Sequence, residues 1–167
     1  MNRTILNALA GIALAGTPML ALQAQSGDGS RIVTEIDVQE LASSLSEMGA
    51  TWERSGDESE SIAVTFENGG KAILRPTACR DGPCMGLLMV AFFSKPDGMS
   101  QAEADEIARQ FNMRYNPASV VKSDNGNHVL KAYLIFDYGI TKQNLTFRLG
   151  LFGSGIMRYN DALNGGG

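Results

Sequence analysis

The sequence has few of the residues on which catalysis and metal binding usually depend: one histidine, two cysteines and 7% aromatic residues in a chain of 167. It contains no Gly-x-Ser-x-Gly nucleophile motif, no Gly-x-x-x-x-Gly-Lys phosphate loop and no Gly-x-Gly-x-x-Gly dinucleotide motif. It has no cluster of Lys and Arg, and the net charge is −4, which argues against a nucleic-acid-binding surface. Two cysteines and a single histidine do not form the usual zinc ligand sets. We therefore expect no catalytic residues, no metal and no cofactor.

Residues 1–24 have the composition of a secretory signal peptide. Arg3 supplies one positive charge, residues 5–22 are apolar and small, and cleavage after Ala24 or Ser26 would follow a small residue. The alternative is a retained membrane anchor, because the apolar stretch is long enough to be considered for a span. We expect export to the periplasm of a Gram-negative-type envelope or secretion, with no stable membrane span after cleavage.

Cys79 and Cys84 bound a six-residue loop. In an oxidising compartment, two cysteines indicate a disulfide. The alternative is a redox-active pair, but such sites use Cys-x-x-Cys at a helix N-terminus, whereas this spacing is longer and a strand is predicted to follow. We therefore predict a structural disulfide.

The loop leads into the longest apolar run of the mature chain, residues 85–93. A run without polar alternation is typical of a strand that is covered on both faces, so it should lie in the middle of the sheet. Before it, the sequence predicts a helix over 38–48, a solvated acidic turn over 53–61, and strands over 62–66 and 71–75 joined at Asn68-Gly69.

After this run, a capping box at Ser100-Gln101-Ala102-Glu103 predicts a helix that ends before Asn116-Pro117. Strands over 119–122 and 129–138 follow, with His128 at the surface or in the turn between them. A last helix should begin at Thr141. We expect it to fray or to need a partner surface that holds it, because Gly150, Gly153 and Gly155 each cost about 1 kcal/mol relative to Ala.

These elements predict an α+β domain of order α-β-β-β-α-β-β-α, with a five-stranded antiparallel sheet and three helices. We divide the chain into a signal peptide (1–24), a flexible lead-in (25–35), one domain (36–160) and a disordered tail (161–167). Helices on one face alone would leave the other face of the central strand in water. We therefore expect either helices on both faces or a second copy of the chain on the open one.

The order of elements, the Cys-x4-Cys loop before an apolar strand, Phe111-Asn112 with Arg114-Tyr115, and Gly139-Ile140-Thr141 together resemble the YbjN-domain family over about residues 36–160. That family is described as candidate bacterial sensory-transduction regulators, and its fold is similar to that of type III secretion chaperones, which are small α+β homodimers that bind client proteins. In this chain Phe111 stands where the family often has Trp, and Asn116-Pro117 replaces the usual continuation of the helix.

The resemblance implies a non-enzymatic domain that binds a protein partner, as a homodimer, in an envelope-linked regulatory or chaperone-like role. The residues that we take as candidates for partner binding are Phe111, Asn112, Arg114 and Tyr133. Two alternatives remain open. A monomeric module that binds small molecules or peptides would need a deep pocket with converging polar groups, and a thiol–disulfide exchange enzyme would need reactive cysteines.

Overall fold

The computed structural model describes residues 28–55, 60–81 and 84–165. After a 3₁₀ turn (Asp28–Ser30), the elements in chain order are β1 (Ile32–Val33), α1 (Val38–Glu47), β2 (Thr51–Arg54), β3 (Ile62–Thr65), β4 (Lys71–Cys79), β5 (Cys84–Phe93), α2 (Gln101–Arg114), β6 (Ser119–Lys122), β7 (His128–Ile135), β8 (Ile140–Thr141) and α3 (Lys142–Leu163).

The strands form an antiparallel six-stranded sheet of order β2-β3-β4-β5-β7-β6, and β1 pairs with β8 in a separate two-stranded sheet. The predicted α+β class, with three helices and antiparallel pairing, is confirmed for the described residues, but the prediction of five strands is wrong. The strand missed in the main sheet is β2, which pairs with β3 from Thr51↔Thr65 to Arg54↔Ile62. All four of its residues are exposed, so no apolar alternation marks it as a strand.

Strand β5 lies inside the sheet between β4 and β7, as predicted, but only one of its faces is covered. Leu87, Met89 and Ala91 are buried with the apolar residues of all three helices in one core. Leu88 and Val90, on the other face, are partly exposed. The expectation that helices cover both faces is therefore wrong for the described residues, because the three helices share one layer.

The helix starts follow from local capping. The side chains of Asp37, Ser100 and Thr141 each accept a hydrogen bond from the backbone N–H three residues later, which satisfies one of the donors left unpaired at a helix N-terminus. At Ser100 the capping box is complete, because the carboxylate of Glu103 also accepts from the backbone N–H of Ser100.

Helix α3 is continuous over 22 residues despite its three glycines, and two of these allow close packing. A Cβ on Gly153 would lie 2.9 Å from the ring of Phe66, and one on Gly155 would lie 2.8 Å from the ring of Tyr115. At these two positions the missing side chain allows an aromatic ring to contact the helix backbone. Tertiary packing therefore outweighs the low helix propensity of glycine.

The boundaries of the domain are wider than the sequence indicates. The end of α3 at Leu163 lies in the predicted tail of 161–167, and β1 lies in the predicted lead-in of 25–35. The predicted signal peptide, residues 1–24, is outside the described residues. Among the residues that are described, no helix combines the length and the apolar character needed to cross a bilayer.

Candidate functional site

The sheet face opposite the helices, which we call the open face, is not covered by any helix of the described residues. It is formed by every second residue of β2 to β7 and, because the strands are in register, these residues lie in rows across the sheet. One row joins Ala63, Ile73, Val90 and Lys131, and the next contains Arg75, Leu88 and Tyr133.

An apolar strip follows β5 along the open face. Leu88 and Val90 form its middle and Phe92 one end, where the side chain of Phe92 is 66% exposed. On the neighbouring β7, Tyr133 is 49% exposed and Ile135 is 63% exposed. Large apolar side chains gathered on one surface, in contrast to scattered single ones, mark interaction sites in soluble proteins.

The position of the Tyr133 ring depends on a glycine in the adjacent strand. A Cβ on Gly86 would fall 2.1 Å from the hydroxyl oxygen of Tyr133, so the phenol occupies the space that a side chain at this position would take. Its hydroxyl accepts a hydrogen bond from Oγ1 of Thr77 at 3.1 Å. The aromatic surface at this end of the strip is therefore fixed before any partner binds.

Cations flank the strip on both sides. Lys71 and Arg75 project from β4, and Lys131 projects from β7. No ion pair involves any of these three within the described ranges 28–55, 60–81 and 84–165. The only acid in the paired rows of this face is Glu53, on the edge strand β2. The open face is thus locally basic on a chain whose net charge is −4.

The open face is concave at one corner. A shallow depression of about 550 Å³ lies over β2, β3, β4 and the end of β5. It is bordered by Glu53, Thr65, Lys71, Ile73 and Phe92. The alternative of a monomer that binds small molecules would be favoured by a deep apolar pocket with converging polar groups such as Asn112, Arg114 or Tyr133, and none of these three borders this shallow depression. Arg114 lines a separate depression of about 320 Å³ on the helix layer.

Asn112, a predicted partner-binding residue, closes one edge of the sheet. From α2, its Nδ2 donates to the backbone oxygen of Val120 at 2.8 Å, and its Oδ1 accepts from the backbone nitrogen of Val120 at 2.7 Å. These bonds use the outward backbone groups of the edge strand β6, which would otherwise be open to pairing with another strand. The amide of Asn112 is therefore already used within the chain.

The other predicted residues on α2 also lie on the helix layer. Phe111 is half-buried, with its ring centroid 5.1 Å from that of Tyr159 and 5.0 Å from that of Tyr115. Arg114 is exposed at the end of α2. The structure therefore does not bring the four predicted residues together, because only Tyr133 lies on the open face.

The predicted disulfide is confirmed: Cys79 and Cys84 are bonded across the β4–β5 hairpin, with their Cα atoms 3.8 Å apart. Cys84 also anchors the N-terminal segment, since its carbonyl accepts from the backbone N–H of Ile36 at 2.8 Å. Glu60 completes the one group of three potential metal-ligand residues among those described. Because both sulfurs are in the disulfide, neither is a thiolate that could bind a metal.

His128 is buried, which corrects the expectation of a surface or turn histidine. Its side chain is 3% exposed and joins two helices to β7. Nε2 lies 3.0 Å from Oδ1 of Asp105 on α2, and Nδ1 lies 2.5 Å from the hydroxyl of Tyr159 on α3. No pattern in the sequence indicates this network, because His128 is 23 residues from Asp105 and 31 from Tyr159.

The electrostatics of this network favour a structural role. Hydrogen bonds from Lys122, Gln101 and His128 lower the pKa of Asp105 well below its usual value, so Asp105 is ionised near neutral pH. Burial, followed by the charge of Asp105, raises the pKa of Tyr159, which keeps its proton. The phenol can therefore donate to Nδ1 while Nε2–H donates to Asp105. With His128 and Tyr159 buried, no substrate reaches either ring.

The fold has been seen before in solved structures. An uncharacterized protein from Methanothermobacter thermautotrophicus superposes with a TM-score of 0.58 at 12% identity, covering 77% of this chain and 97% of the other. YbjN from E. coli, a candidate transcription regulator, superposes with a TM-score of 0.55 at 14% identity, covering 77% and 94%. The chain has the fold of YbjN. The resemblance predicted from the sequence is thereby confirmed at the level of the fold.

The fold is also similar to that of a chain from a chaperone–effector complex. A chain of the HopA1–SchA chaperone–effector complex superposes with a TM-score of 0.50 at 9% identity, covering 75% of this chain and 98% of the other. No protein-family model and no curated protein sequence matches the chain. At these identities the likeness concerns the fold alone.

Proposed function

We propose that this chain is a non-enzymatic protein-binding domain that uses the open face, in an envelope-linked regulatory or chaperone-like role. The observation that carries the proposal is the uncovered apolar strip along β5, next to Phe92 and the positioned ring of Tyr133. The shared fold with YbjN and with a chaperone–effector complex supports the same class of function.

A matched pair of surface variants tests the binding face. Phe92 on the open face and Phe147 on α3 are almost equally exposed, at 66% and 64%. We expect Phe92→Ser to lose captured partners from an extract of the native envelope, quantified by mass spectrometry, while Phe147→Ser retains them. Equal capture by both variants and by the unaltered chain would refute a role for the open face.

Export is part of the proposal and rests on the composition of residues 1–24. Expression of the full chain in a Gram-negative host should give a periplasmic product whose mass begins after Ala24 or Ser26. A full-length product that sediments with membranes would show that residues 1–24 are retained as a membrane anchor, and it would refute cleavage and export.

Self-association as a homodimer is proposed on the family resemblance. Light scattering on the mature chain at micromolar concentration tests this part. A monomeric mass would remove the homodimer from the proposal and would leave partner binding at the open face unaffected.

A further inference from the structure

We infer that the open face accommodates one amphipathic helix of a partner protein, with acidic residues on both sides of its apolar stripe. This inference depends on the proposed function, since it names the kind of partner that the same face would bind. It is drawn from the shape, the charges and the surroundings of the apolar strip.

The dimensions of the strip match a single helix. From Gly86 to Phe92 the strand extends about 20 Å, which corresponds to a helix of about 13 residues. The distance from β4 across β5 to β7 is about 10 Å, close to the diameter of one helix with its side chains. A second sheet would need a wider apolar surface, whereas outside this strip the open face also carries Lys71, Arg75 and Lys131.

The positions of the cations specify the charge of the partner. Lys71 and Arg75 lie on one side of the strip and Lys131 on the other. An amphipathic helix that places its apolar stripe on Leu88 and Val90 directs its flanking residues toward these cations. Asp and Glu at those flanks would form complementary pairs, whereas Lys and Arg there would be repelled.

The same charges disfavour a second copy of this chain on the open face. A face-to-face dimer would bring Lys71, Arg75 and Lys131 of one copy toward the same residues of the other, with Glu53 as the single acid in the paired rows of each. The described N-terminal segment also lies elsewhere: a Cβ on Gly29 would be 3.5 Å from the side chain of Gln143, at the start of α3 on the helix layer.

A display library provides the probe, because the partner is unidentified. Helix-forming peptides of about 16 residues carry a fixed apolar stripe, with Glu, Gln or Lys randomised at the positions beside it. The mature chain and its Phe92→Ser, Phe147→Ser and Lys71→Glu/Lys131→Glu variants are used as bait. Denaturant unfolding of each variant first establishes that it is folded.

We expect the unaltered chain and Phe147→Ser to enrich peptides with acidic flanks. Individual acidic peptides should bind at least tenfold more tightly than their Lys-flanked counterparts at low salt, and this ratio should fall in 0.5 M NaCl because salt screens exposed charges. Phe92→Ser should lose the enrichment, and Lys71→Glu/Lys131→Glu should shift it toward Lys flanks. Enrichment of Lys-flanked peptides by the unaltered chain, or equal enrichment by Phe92→Ser, would overturn the inference.

Other occupants of the open face would give different results, and each of these results would refute the inference of a helical partner. Binding to phosphatidylglycerol vesicles without enrichment of any peptide would assign the open face to an anionic membrane surface. A dimer mass that Phe92→Ser converts to monomer would assign it to a second copy. If no peptide is enriched but Phe92→Ser still loses partners from the native envelope, the proposed function stands and the helical partner is wrong.

Discussion

The phenol of Tyr133 lies in the space that a side chain at Gly86 would occupy, on the uncovered face of the sheet. A Cβ at residue 86 would be 2.1 Å from the hydroxyl oxygen of Tyr133 and 2.7 Å from Oγ1 of Thr77. The glycine in the central strand therefore positions an aromatic ring at the surface, instead of contributing to the core.

The first prediction concerns this pair. Gly86→Ala should displace the ring of Tyr133 and break its hydrogen bond with Thr77, at a cost of about 1–3 kcal/mol in the free energy of unfolding. Urea unfolding gives the free energy, and the near-ultraviolet circular dichroism of the tyrosines reports the displaced ring. Tyr133→Ala in the same background serves as the control, since it removes the clash and should restore part of the loss. No loss of stability in Gly86→Ala would contradict the contact.

The second prediction compares two glycines of α3. A Cβ at Gly153 would approach the ring of Phe66 to 2.9 Å, whereas one at Gly150 meets only the end of Met48 at 3.6 Å. Gly153→Ala should therefore lower the free energy of unfolding by about 1–3 kcal/mol, because the packed ring must move. Gly150→Ala should raise it by about 0.5–1 kcal/mol through helix propensity. If both substitutions stabilise the protein in thermal or urea unfolding, the close contact with Phe66 is wrong.

The third prediction is the pH dependence that Tyr159 contributes. Burial raises its pKa in the folded protein, so its contribution to stability is complete below the unfolded value of about 10 and is lost as the pH rises above it. The free energy of unfolding should thus fall above about pH 10, and less steeply in Tyr159→Phe. At pH 7 that variant should already be about 1–3 kcal/mol less stable, because Nδ1 of His128 loses its donor.

Tyr138 supplies the control for this experiment. It is almost fully exposed, so Tyr138→Phe should leave the alkaline profile of urea unfolding unchanged. Tyr115 also has a pKa raised by burial, and some alkaline loss should therefore persist in Tyr159→Phe. Identical profiles for Tyr159→Phe and the unaltered chain would exclude Tyr159 as a source of the pH dependence.

The fourth prediction concerns the bond between Cys79 and Cys84. Closure of so short a loop should stabilise the fold by about 2 kcal/mol in the chain-entropy model. The Cys79→Ser/Cys84→Ser variant should lose that amount in urea unfolding and should retain partner binding at the open face. If the variant unfolds at the same urea concentration as the oxidised protein but loses a thiol–disulfide exchange activity, the cysteines are catalytic and our account of them is wrong.

Local signals in the sequence predicted much of the fold. Asp37, Ser100 and Thr141 identify the helix starts because capping involves residues only three apart. The apolar run of residues 85–93 identifies the strand inside the sheet, and the cysteine spacing identifies the hairpin disulfide. Each of these features depends on neighbouring residues alone.

The predictions that failed concern features that depend on contacts between residues far apart in the sequence. The exposed strand β2 is defined by its pairing with β3, and nothing in the apolar pattern of Thr51–Arg54 marks it. His128 is buried because Asp105 and Tyr159 provide its hydrogen bonds from two helices. Asn112 was predicted to bind a partner, whereas its amide bonds the edge strand at Val120. Sequence spacing does not specify which residues meet across the core.

The central claim is that the open face binds another protein, and photo-crosslinking at Phe92 tests it most directly. Benzoylphenylalanine replaces Phe92 in one experiment and Phe147, which is similarly exposed, in the other, and the full chain is expressed in its native cells before irradiation. We predict adducts with a protein other than a second copy of this chain at residue 92, and not at residue 147. The absence of adducts at residue 92, or the same adducts at both residues, would contradict the claim.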